Sequence, residues 1–400
     1  MQRRGTGKRG QRVLPDAPHA LWIPKWWPGQ RDPQLGDFIR KQATALAERT
    51  KVTVLHLEAL EGPEQGPDGA VEIDGLYVVR STYRASSHPW RPWRKAINFI
   101  RYGRAARSGV ARCFRERGRP DVTHVHILVR PALVALWLRW RYRIPYFLSE
   151  QSSEYLDGSY ARKGRLFHAL NRALFRWSSG VSVVSHWLGQ GLERAKLCSD
   201  YRVVPNVIPG LGRPLPASGD PRQFLVVADL VDKTKNVSGV LHALALVNSR
   251  GRNAALSIIG DGPDRGSLED LTRTLHLEDR VEFLGRLPNT AVLDHMARTG
   301  SAIINSNVET FSVVTGEALA QGKPVIATRC GGPEAFIQPA NGLLIPPRDP
   351  EALATAMEWL MDHRADYDPA TIRRSVAERS SVAAVAQGFM DLYRHSLRST

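Results

Sequence analysis

Strand-like and helix-like segments alternate along most of the chain, and one stretch without hydrophobic periodicity divides them into two sets. Apolar runs such as VTHVHILV precede that stretch, and FLVVA, LSIIG and PVIAT follow it. This alternation predicts the α/β class, with parallel sheets covered by helices on both faces. The dividing stretch, residues 205–222, is dense in proline and glycine, which is typical of a linker. We therefore expect two Rossmann-like domains that face a cleft and bind ligands beyond the carboxyl ends of their strands.

The length of 400 residues suits two domains, each large enough to bury its own core. The last segment, SVAAVAQGFMDLYRH, has apolar residues at helical spacing and predicts an amphipathic helix. The expected parts of the chain are a disordered basic arm, a first domain, a linker, a second domain and a final helix, at residues 1–17, 18–204, 205–222, 223–380 and 381–400.

Positive charge is concentrated in the first half of the chain. Residues 1–200 carry 34 Lys and Arg against 17 Asp and Glu, whereas residues 201–400 carry 21 against 22. Such asymmetry indicates an anionic partner, either nucleic acid or a lipid surface. No helix-turn-helix, RRM, KH or zinc-finger pattern is present, so we do not expect nucleic acid as the partner.

The basic segment 91–119 favours the lipid surface. It holds ten Lys and Arg and the single acid Glu116, and Trp90, Trp93 and Phe99 are interleaved with these charges. A solvated helix face would not need two tryptophans beside the arginines, whereas an amphipathic helix at an anionic membrane would use them as anchors. This predicts that the first half binds an anionic membrane surface.

The cellular location is predicted from cysteine usage and hydropathy. The three cysteines lack metal or redox spacing, which is typical of reduced thiols in the cytosol. The longest apolar run, residues 132–138, is far shorter than the ~20 residues of a membrane span. We expect a cytoplasmic protein that associates peripherally with the inner face of the plasma membrane.

Two carboxylates flank the predicted helix 312–321. Glu309 precedes the helix and Glu317 lies in its second turn, while Ser312 is placed to cap it. The free N–H groups of residues 311–314, including Phe311 and Val313, would favour a phosphate group at the carboxyl end of strand SAIIN. Acids on either side of a phosphate site suit the hydroxyl groups of sugars, which predicts a nucleoside diphosphate sugar as the ligand.

The spacing of these acids and the motifs around them carry a family resemblance. Glu309 and Glu317 form an E-x7-E pair followed by EALAQGKPVIAT and GGPEAF, and GDGP, VEFLGRLP and PNVI occur in the expected order. Together they closely resemble the retaining glycosyltransferases of family 4, also called glycosyl transferases group 1. The resemblance implies the two-domain GT-B fold, with a first domain that binds the acceptor, a second that binds the nucleotide-sugar, and a final helix that crosses back to the first.

The resemblance also implies roles for single residues. Glu309 would contact the transferred sugar, Glu317 the ribose, and Lys235 the donor phosphates, with no metal and no cofactor. The arginine that usually precedes this lysine is replaced by Asp229, and Lys233 is an alternative second cation. The further donor-side residues are Phe311, Ser312, Val313, Gly260 and Gly36, and the acceptor-side residues are Gln151 and His126.

The implied function is retaining transfer of a hexose-type sugar from a nucleotide donor to a glycan or lipid-linked acceptor, in surface polysaccharide or lipopolysaccharide biosynthesis. One alternative is a sugar-nucleotide-binding protein without catalysis, because Asp229 and Gln151 depart from the family pattern. A second, less favoured alternative is a nucleic-acid-binding protein, because the first half of the chain is basic. A nicotinamide dehydrogenase is not expected, since no G-x-G-x-x-G follows an early strand. We expect His124 and His126 on opposite faces of their strand, so they are not predicted as a metal pair.

Overall fold

The computed structural model describes residues 15–29, 32, 34–61, 68–217 and 219–398. Most of the predicted arm, residues 1–17, lies outside the described residues. The described chain contains two separate sheets, one of eight strands and one of six, and helices lie between most of the successive strands. The predicted α/β class with two Rossmann-like domains is confirmed.

The first domain is built on the eight-stranded sheet, whose strand order is β3-β4-β2-β1-β5-β6-β7-β8. Its strands are β1 Ala20–Pro24, β2 Val52–Leu60, β3 Gly69–Ile73, β4 Leu76–Arg84, β5 Val122–His126, β6 Tyr146–Glu150, β7 Gly180–Val183 and β8 Arg202–Val203. Its helices are α1 Asp37–Ala47, α2 Arg91–Arg117, α3 Arg130–Tyr142, α4 Arg165–Arg176 and α5 His186–Arg194.

Strand β1 lies at the centre of this sheet and is completely buried. Successive side chains of a strand point to opposite faces of the sheet. Trp22 therefore packs with Ile39 of α1 on one face, whereas Leu21 packs with Val110 of α2 on the other. Burial on both faces explains why the strands of this domain are apolar runs with little alternation.

The outer strand β3 pairs antiparallel with β4, and the other strands of this sheet are paired in parallel. The apolar runs in the sequence did not predict β3. Its central residues are exposed, because an edge strand buries little surface and needs no continuous apolar pattern.

The second domain is built on a parallel six-stranded sheet with the order β11-β10-β9-β12-β13-β14. Strand β9 begins at Asp220, so the last three residues of the predicted linker 205–222 lie in a strand. Its strands are β9 Asp220–Val227, β10 Ala255–Ile259, β11 Val281–Gly285, β12 Thr299–Ile304, β13 Val325–Thr328 and β14 Gly342–Ile345. The remaining helices are α6 Asp232–Lys235, α7 Val237–Ser249, α8 Arg265–Thr274, α9 Asn289–Arg298, α10 Val313–Ala320, α11 Pro350–His363, α12 Pro369–Ser380 and α13 Val382–Arg398.

The last helix, α13, belongs to the core of the first domain although it follows the second domain in sequence. Phe389 and Tyr393 are fully buried and pack with residues of β1 and α1. The indole Nε1 of Trp22 donates a hydrogen bond to the hydroxyl of Tyr393 at 3.1 Å. The predicted return of the final helix to the first domain is confirmed.

We predict that Phe389→Ala destabilises the protein by about 3–5 kcal/mol, because it removes a fully buried ring and leaves a cavity. Urea unfolding gives the free energy. The control is Gln387→Ala, which changes an exposed residue of the same helix and should alter the free energy by less than about 0.5 kcal/mol. Equal stability of the two variants would contradict the packing of α13 on the first domain.

Candidate active site

A cavity with two adjoining parts lies between the domains at the carboxyl ends of their strands. The first part has a volume of about 490 Å³ and includes Gln151 and Glu309. The second has a volume of about 360 Å³ and includes Arg286 and Glu317. Lys235 lines both parts. The structure therefore places Lys235 at the junction of the two parts, with Glu309 in the first part and Glu317 in the second.

Glu309 is held by hydrogen bonds from both its side chain and its backbone. Its Oε1 accepts hydrogen bonds from Lys235 Nζ at 2.6 Å and Ser306 Oγ at 2.8 Å. Its N–H donates to the carbonyl of Cys330, and its own carbonyl accepts from the N–H of Gly332. The carboxylate is therefore fixed in position beside the only cation that lines both described parts of the cavity.

The Gly331-Gly332 pair allows its own backbone to pack closely against the loop of Glu309 and against Trp187. A Cβ on Gly332 would lie 2.6 Å from the backbone of Phe311, and one on Gly331 would lie 2.1 Å from the ring of Trp187. Gly331 also has a φ of 107°, which a residue with a side chain rarely adopts. Trp187 belongs to α5 of the first domain, so this glycine is a contact point between the domains.

Helix α10 begins at Val313 and points its first turn into the cavity. Phe311, Ser312 and Val313, the residues expected on the donor side, all line the first part of the cavity. Ser312 is the residue before the helix, but its side chain caps no backbone N–H. Its hydroxyl instead lies 2.7 Å from that of Thr315. The N–H groups of the first turn are thus not occupied by the expected serine cap.

Glu317 is almost completely buried in the second part of the cavity. Its Oε1 accepts a hydrogen bond of 2.7 Å from Asn289 Nδ2. Burial raises the pKa of Glu317, while the hydrogen bond from Asn289 and the charge of Lys41 act in the opposite direction. A buried carboxylate with an amide partner is suited to accept hydrogen bonds from a ligand.

The structure distinguishes Lys235 from Lys233. Lys235 reaches Glu309 and both parts of the cavity, whereas Lys233 is exposed and lines neither part. Backbone and side-chain bonds from Asn307 to Thr234 and Lys233 fix the short helix α6 against the loop after β12. This packing places the side chain of Lys235 beside Glu309.

The acid that replaces the usual arginine has a basic neighbour. Asp229 lines both parts of the cavity, and its Oδ1 lies 3.5 Å from Nη2 of Arg286, which lines the second part. Arg286 therefore places a second positive charge in the cavity, close to the position where the family pattern has one.

The two donor-side glycines have different positions. Gly260 lines the second part of the cavity, and a Cβ there would lie 1.8 Å from the carbonyl oxygen of Ala228, so only glycine fits. Gly36 lines neither part. It has a φ of 73°, and a Cβ would lie 2.5 Å from the backbone of Trp26. Gly36 therefore has a structural role, because it allows the chain to pass close to Trp26. Phe38 and Lys41 of helix α1, which follows Gly36, line the second part of the cavity.

The two residues predicted on the acceptor side, Gln151 and His126, differ in whether they line the cavity. Gln151 lines the first part of the cavity, and its Nε2 donates to Gln42 Oε1 at 3.0 Å. His126 is fully buried outside the lining of both parts, between Trp22 and His124. The expectation that His124 and His126 face opposite sides was wrong: their rings stack at 4.5 Å, because residues two apart in a strand share a face.

The described residues contain neither a metal-binding cluster nor a membrane-spanning helix. No group of three or more His, Cys, Asp or Glu side chains within the described chain is arranged to hold a metal ion. No helix in the same residues has the length and apolar character needed to cross a membrane.

Comparison with protein families identifies the two halves of the chain. Residues 35–207 match the glycosyl transferase 4-like domain, and residues 212–375 match the glycosyl transferases group 1 model. The chain belongs to the group 1 glycosyltransferases. The second match contains Lys235, Glu309 and Glu317, so these three charged residues of the cavity lie within the family model.

Relatives of this glycosyltransferase synthesise several kinds of glycan. It is 26% identical over 370 residues to a glycogen synthase of Mycobacterium tuberculosis, covering 85% of this chain and 84% of the relative. It is 32% identical over 169 residues to the lipopolysaccharide core biosynthesis glycosyltransferase LpsD of Rhizobium meliloti, covering 40% of this chain and 46% of the relative.

Solved structures confirm the GT-B fold of this glycosyltransferase. Sucrose-phosphate synthase from Thermosynechococcus elongatus matches with a TM-score of 0.74 at 19% identity, covering 96% of this chain and 100% of that one. Anabaena HepE in complex with UDP matches with a TM-score of 0.71 at 16% identity and the same coverage. At these identities the likeness shows the fold alone.

The sequence did not indicate several residues of the site. Arg286 occurs within the VEFLGRLP motif and directly follows a strand. This position could have predicted that Arg286 lies at the carboxyl edge of the sheet. Asn289 and Lys41 carried no such signal, because their contact with the cavity depends on how helices α9 and α1 pack.

The burial of His126 should make the stability of the folded protein depend on pH. Burial, together with the nearby His124, lowers the pKa of His126 well below 6.5, so the folded protein keeps the ring neutral. Below about pH 6.5 the unfolded chain takes up this proton, and stability is therefore lost as the pH falls. Neither ring nitrogen of His126 has a hydrogen-bond partner among the residues that the structure describes.

We predict that His126→Phe makes the free energy of unfolding less dependent on pH between 6 and 5, by about 1.4 kcal/mol per pH unit. Urea unfolding at several pH values measures this slope. The control is His242→Phe at an exposed position, and this variant should show the same slope as the parent protein. An unchanged slope for His126→Phe would mean that the ring already titrates in the folded protein.

Proposed function

We propose that this glycosyltransferase moves a sugar from a nucleotide-sugar donor to a glycan or lipid-linked acceptor with retention of configuration. The observation that carries the proposal is the order of charges along the cavity, with Glu309 in one part, Lys235 at the junction and Glu317 in the other. A donor with its sugar beside Glu309, its diphosphate at Lys235 and its ribose at Glu317 matches this order.

In the proposed reaction the bond between the sugar carbon and the diphosphate oxygen breaks, and its electron pair leaves with the diphosphate. The acceptor hydroxyl forms the new bond on the same face of the sugar, and its proton passes to a diphosphate oxygen. Negative charge increases on the leaving group during this step. Lys235 therefore stabilises the transition state more than the ground state.

Arg286 completes the electrostatics of the proposed donor site. Asp229 alone would repel a diphosphate, but its ion pair with Arg286 offsets that charge. Lys235, which is paired with Glu309, and Arg286, which is paired with Asp229, are then two cations available to the diphosphate in the absence of a metal ion. Helix α10 adds the N–H groups of its first turn, which favour an anion.

The classes of donor and acceptor are proposed from the site and from the relatives. Two structural neighbours were solved with UDP and with ADP and acarbose. Relatives act in glycogen and lipopolysaccharide synthesis, and we place this chain in surface polysaccharide or lipopolysaccharide assembly. A thermal-shift screen with UDP, GDP, ADP and their sugars identifies the nucleotide, since a ligand at 100 times its Kd adds about 2.7 kcal/mol.

We predict that Glu309→Gln lowers turnover on the order of 10²-fold while nucleotide affinity changes little, because the charge matters at the transferred sugar. Turnover of labelled donor in the presence of an acceptor extract is the measurement. The control is Glu282→Gln, at an exposed residue of β11, which should turn over like the parent. A parent protein that binds nucleotide and transfers nothing would instead support the non-catalytic binding protein.

Glu317→Ala should weaken nucleotide binding by about 10- to 100-fold, because it removes a charged hydrogen-bond acceptor used in the ground state and the transition state alike. Calorimetric titration with the nucleotide found in the screen measures the effect. Parent affinity in this variant would show that the ribose does not lie at Glu317.

The location proposed for this enzyme is the cytoplasmic face of the plasma membrane. Helix α2 exposes apolar residues beside its basic ones, and α3 and α4 add Trp140 and Leu166, of which Leu166 is 88% exposed. Exposed aromatic side chains among arginines suit the interface of an anionic membrane, where each cation contributes about 1 kcal/mol. The enzyme would reach a lipid-linked acceptor there and take its donor from the cytosol.

Co-sedimentation with vesicles tests this location. The protein should bind anionic vesicles at low salt, bind less at high salt, and bind neutral vesicles weakly. Binding should be lost when five residues of α2 are changed to Gln: Arg91, Arg94, Lys95, Arg101 and Arg104. The control changes five exposed arginines of the second domain to Gln: Arg222, Arg273, Arg280, Arg298 and Arg374. Binding that ignores lipid charge would refute the proposal.

A further inference from the structure

Helix α1 carries a glutamine on its buried, otherwise apolar face. Ile39, Ala43 and Leu46 of this face pack in the core of the first domain. Gln42 lies among them at helical spacing and is only 1% exposed. Burial of an amide is unfavourable unless its donor and its acceptor are both hydrogen-bonded, so the partners of Gln42 explain its place.

Both groups of the Gln42 amide have partners from other parts of the chain. Its Nε2 donates to the backbone carbonyl of Pro205 at 3.1 Å. Its Oε1 accepts from Nε2 of Gln151 at 3.0 Å. Gln151 directly follows β6, and Pro205 begins the segment that leads into the second domain. Because Gln151 and Asn206 both line the first part of the cavity, Gln42 links segments that meet beside the active site.

The chemistry of Pro205 fixes the direction of these hydrogen bonds. A carbonyl oxygen can only accept, so the group of Gln42 that faces Pro205 is its NH2 group. The oxygen of Gln42 then faces Gln151, which has to donate through its own NH2 group. Neither amide can be reversed without bringing two oxygen atoms together. A backbone carbonyl therefore determines the polarity of both side chains.

This direction leaves the oxygen of Gln151 for a ligand. Gln151 lines the first part of the cavity together with Glu309. No donor of the described residues reaches Oε1 of Gln151, and this atom is open to the cavity. The cavity thus presents a hydrogen-bond acceptor at this point, and the group that meets it has to be a donor.

We propose that Gln42 is a positioning residue that holds the amide of Gln151 with its oxygen towards the transferred sugar. A hydroxyl group of that sugar donates a hydrogen bond to Oε1 of Gln151. The inference rests on the proposed function, which places the transferred sugar in the first part of the cavity beside Glu309, and it puts Gln151 at this sugar rather than at the acceptor. It adds a requirement on the donor, because a site built to bind a hydroxyl group rejects an analogue that lacks it.

Variants of Gln42 separate positioning from packing. Gln42→Met keeps the size of the side chain and removes both hydrogen bonds, so the amide of Gln151 is free to rotate. Gln42→Glu keeps an oxygen that accepts from Gln151, and burial favours the protonated carboxyl group, which still donates to Pro205. The matched control is Gln321→Met, at a buried glutamine whose partner is the carbonyl of Gly210 in the same linking segment.

The first measurement needs no ligand. In full-length protein labelled with ¹⁵N-glutamine, the side-chain NH2 signal of Gln151 is identified by its loss in Gln151→Leu. The hydrogens of this group should exchange slowly with water in the parent, in Gln42→Glu and in Gln321→Met. In Gln42→Met the exchange should be about tenfold faster, because the hydrogen bond to Gln42 is lost. Equal exchange in the parent and in Gln42→Met would overturn the orientation.

The second measurement tests the requirement on the donor. The probe is the UDP-, GDP- or ADP-sugar that gives the largest shift in the thermal screen, with forms in which one sugar hydroxyl at a time is replaced by fluorine. Fluorine cannot donate a hydrogen bond. In calorimetric titrations without acceptor, the parent should prefer the hydroxyl form at one position by about tenfold. Gln151→Leu should remove that preference, and Gln42→Met should reduce it to about threefold or less.

The other positions and the other variants serve as controls for this measurement. Gln42→Met should leave the preference unchanged at every other hydroxyl of the sugar. Gln42→Glu and Gln321→Met should keep the parent preference at all positions. A general loss of affinity in Gln42→Met that was equal for the hydroxyl and fluorine forms would show a packing role and would overturn the inference.

The two measurements distinguish this inference from the proposed function. A preference that is lost in Gln151→Leu and kept in Gln42→Met would refute the positioning role while the function stood. A preference that Gln151→Leu does not change would show that the transferred sugar does not lie at Gln151. Slow exchange in the parent without affinity for any nucleotide-sugar would refute the function, while the orientation of Gln151 by Gln42 stood.

Discussion

The ion pair between Lys235 and Glu309 is the interaction on which the candidate site depends. Its two charges lie 2.6 Å apart and are mostly shielded from water, with the side chains 24% and 15% exposed. Attraction between charges increases as water is excluded, so each residue holds the other in place. In the proposed reaction an incoming diphosphate competes with Glu309 for the lysine, and the acid is then available to a hydroxyl group of the sugar.

Backbone geometry around Glu309 keeps this pair aligned. Loops after β12 and β13 are joined by hydrogen bonds between Glu309, Cys330 and Gly332. The contact of Gly331 with Trp187 brings the first domain against the same loops, and Ser185 Oγ donates to the carbonyl of Thr310 at 2.5 Å. The position of the acid is therefore sensitive to how the two domains approach each other.

The sequence predicted those features that depend on local pattern. Apolar periodicity revealed the two sheets, and the E-x7-E spacing placed Glu309 and Glu317 on either side of a helix start. Features set by packing between distant segments were missed. The burial of His126 depends on Trp22 and α13. The pairing of Asp229 with Arg286 depends on β9 and β11, which lie on either side of β10. Strand β3 was missed because an exposed edge leaves no apolar signature.

The path of α13 constrains how the protein is made. Trp22 and Tyr393 are hydrogen-bonded partners separated by 371 residues. At about 5–20 residues per second, a ribosome needs roughly 20 to 70 seconds to synthesise the chain between them. Once Val203 has been synthesised, the first domain has all its strands but still lacks the helix, α13, that covers part of one face of its sheet. The nascent chain therefore exposes an apolar surface until α13 has been synthesised, and binding of a chaperone to that surface would protect it from aggregation.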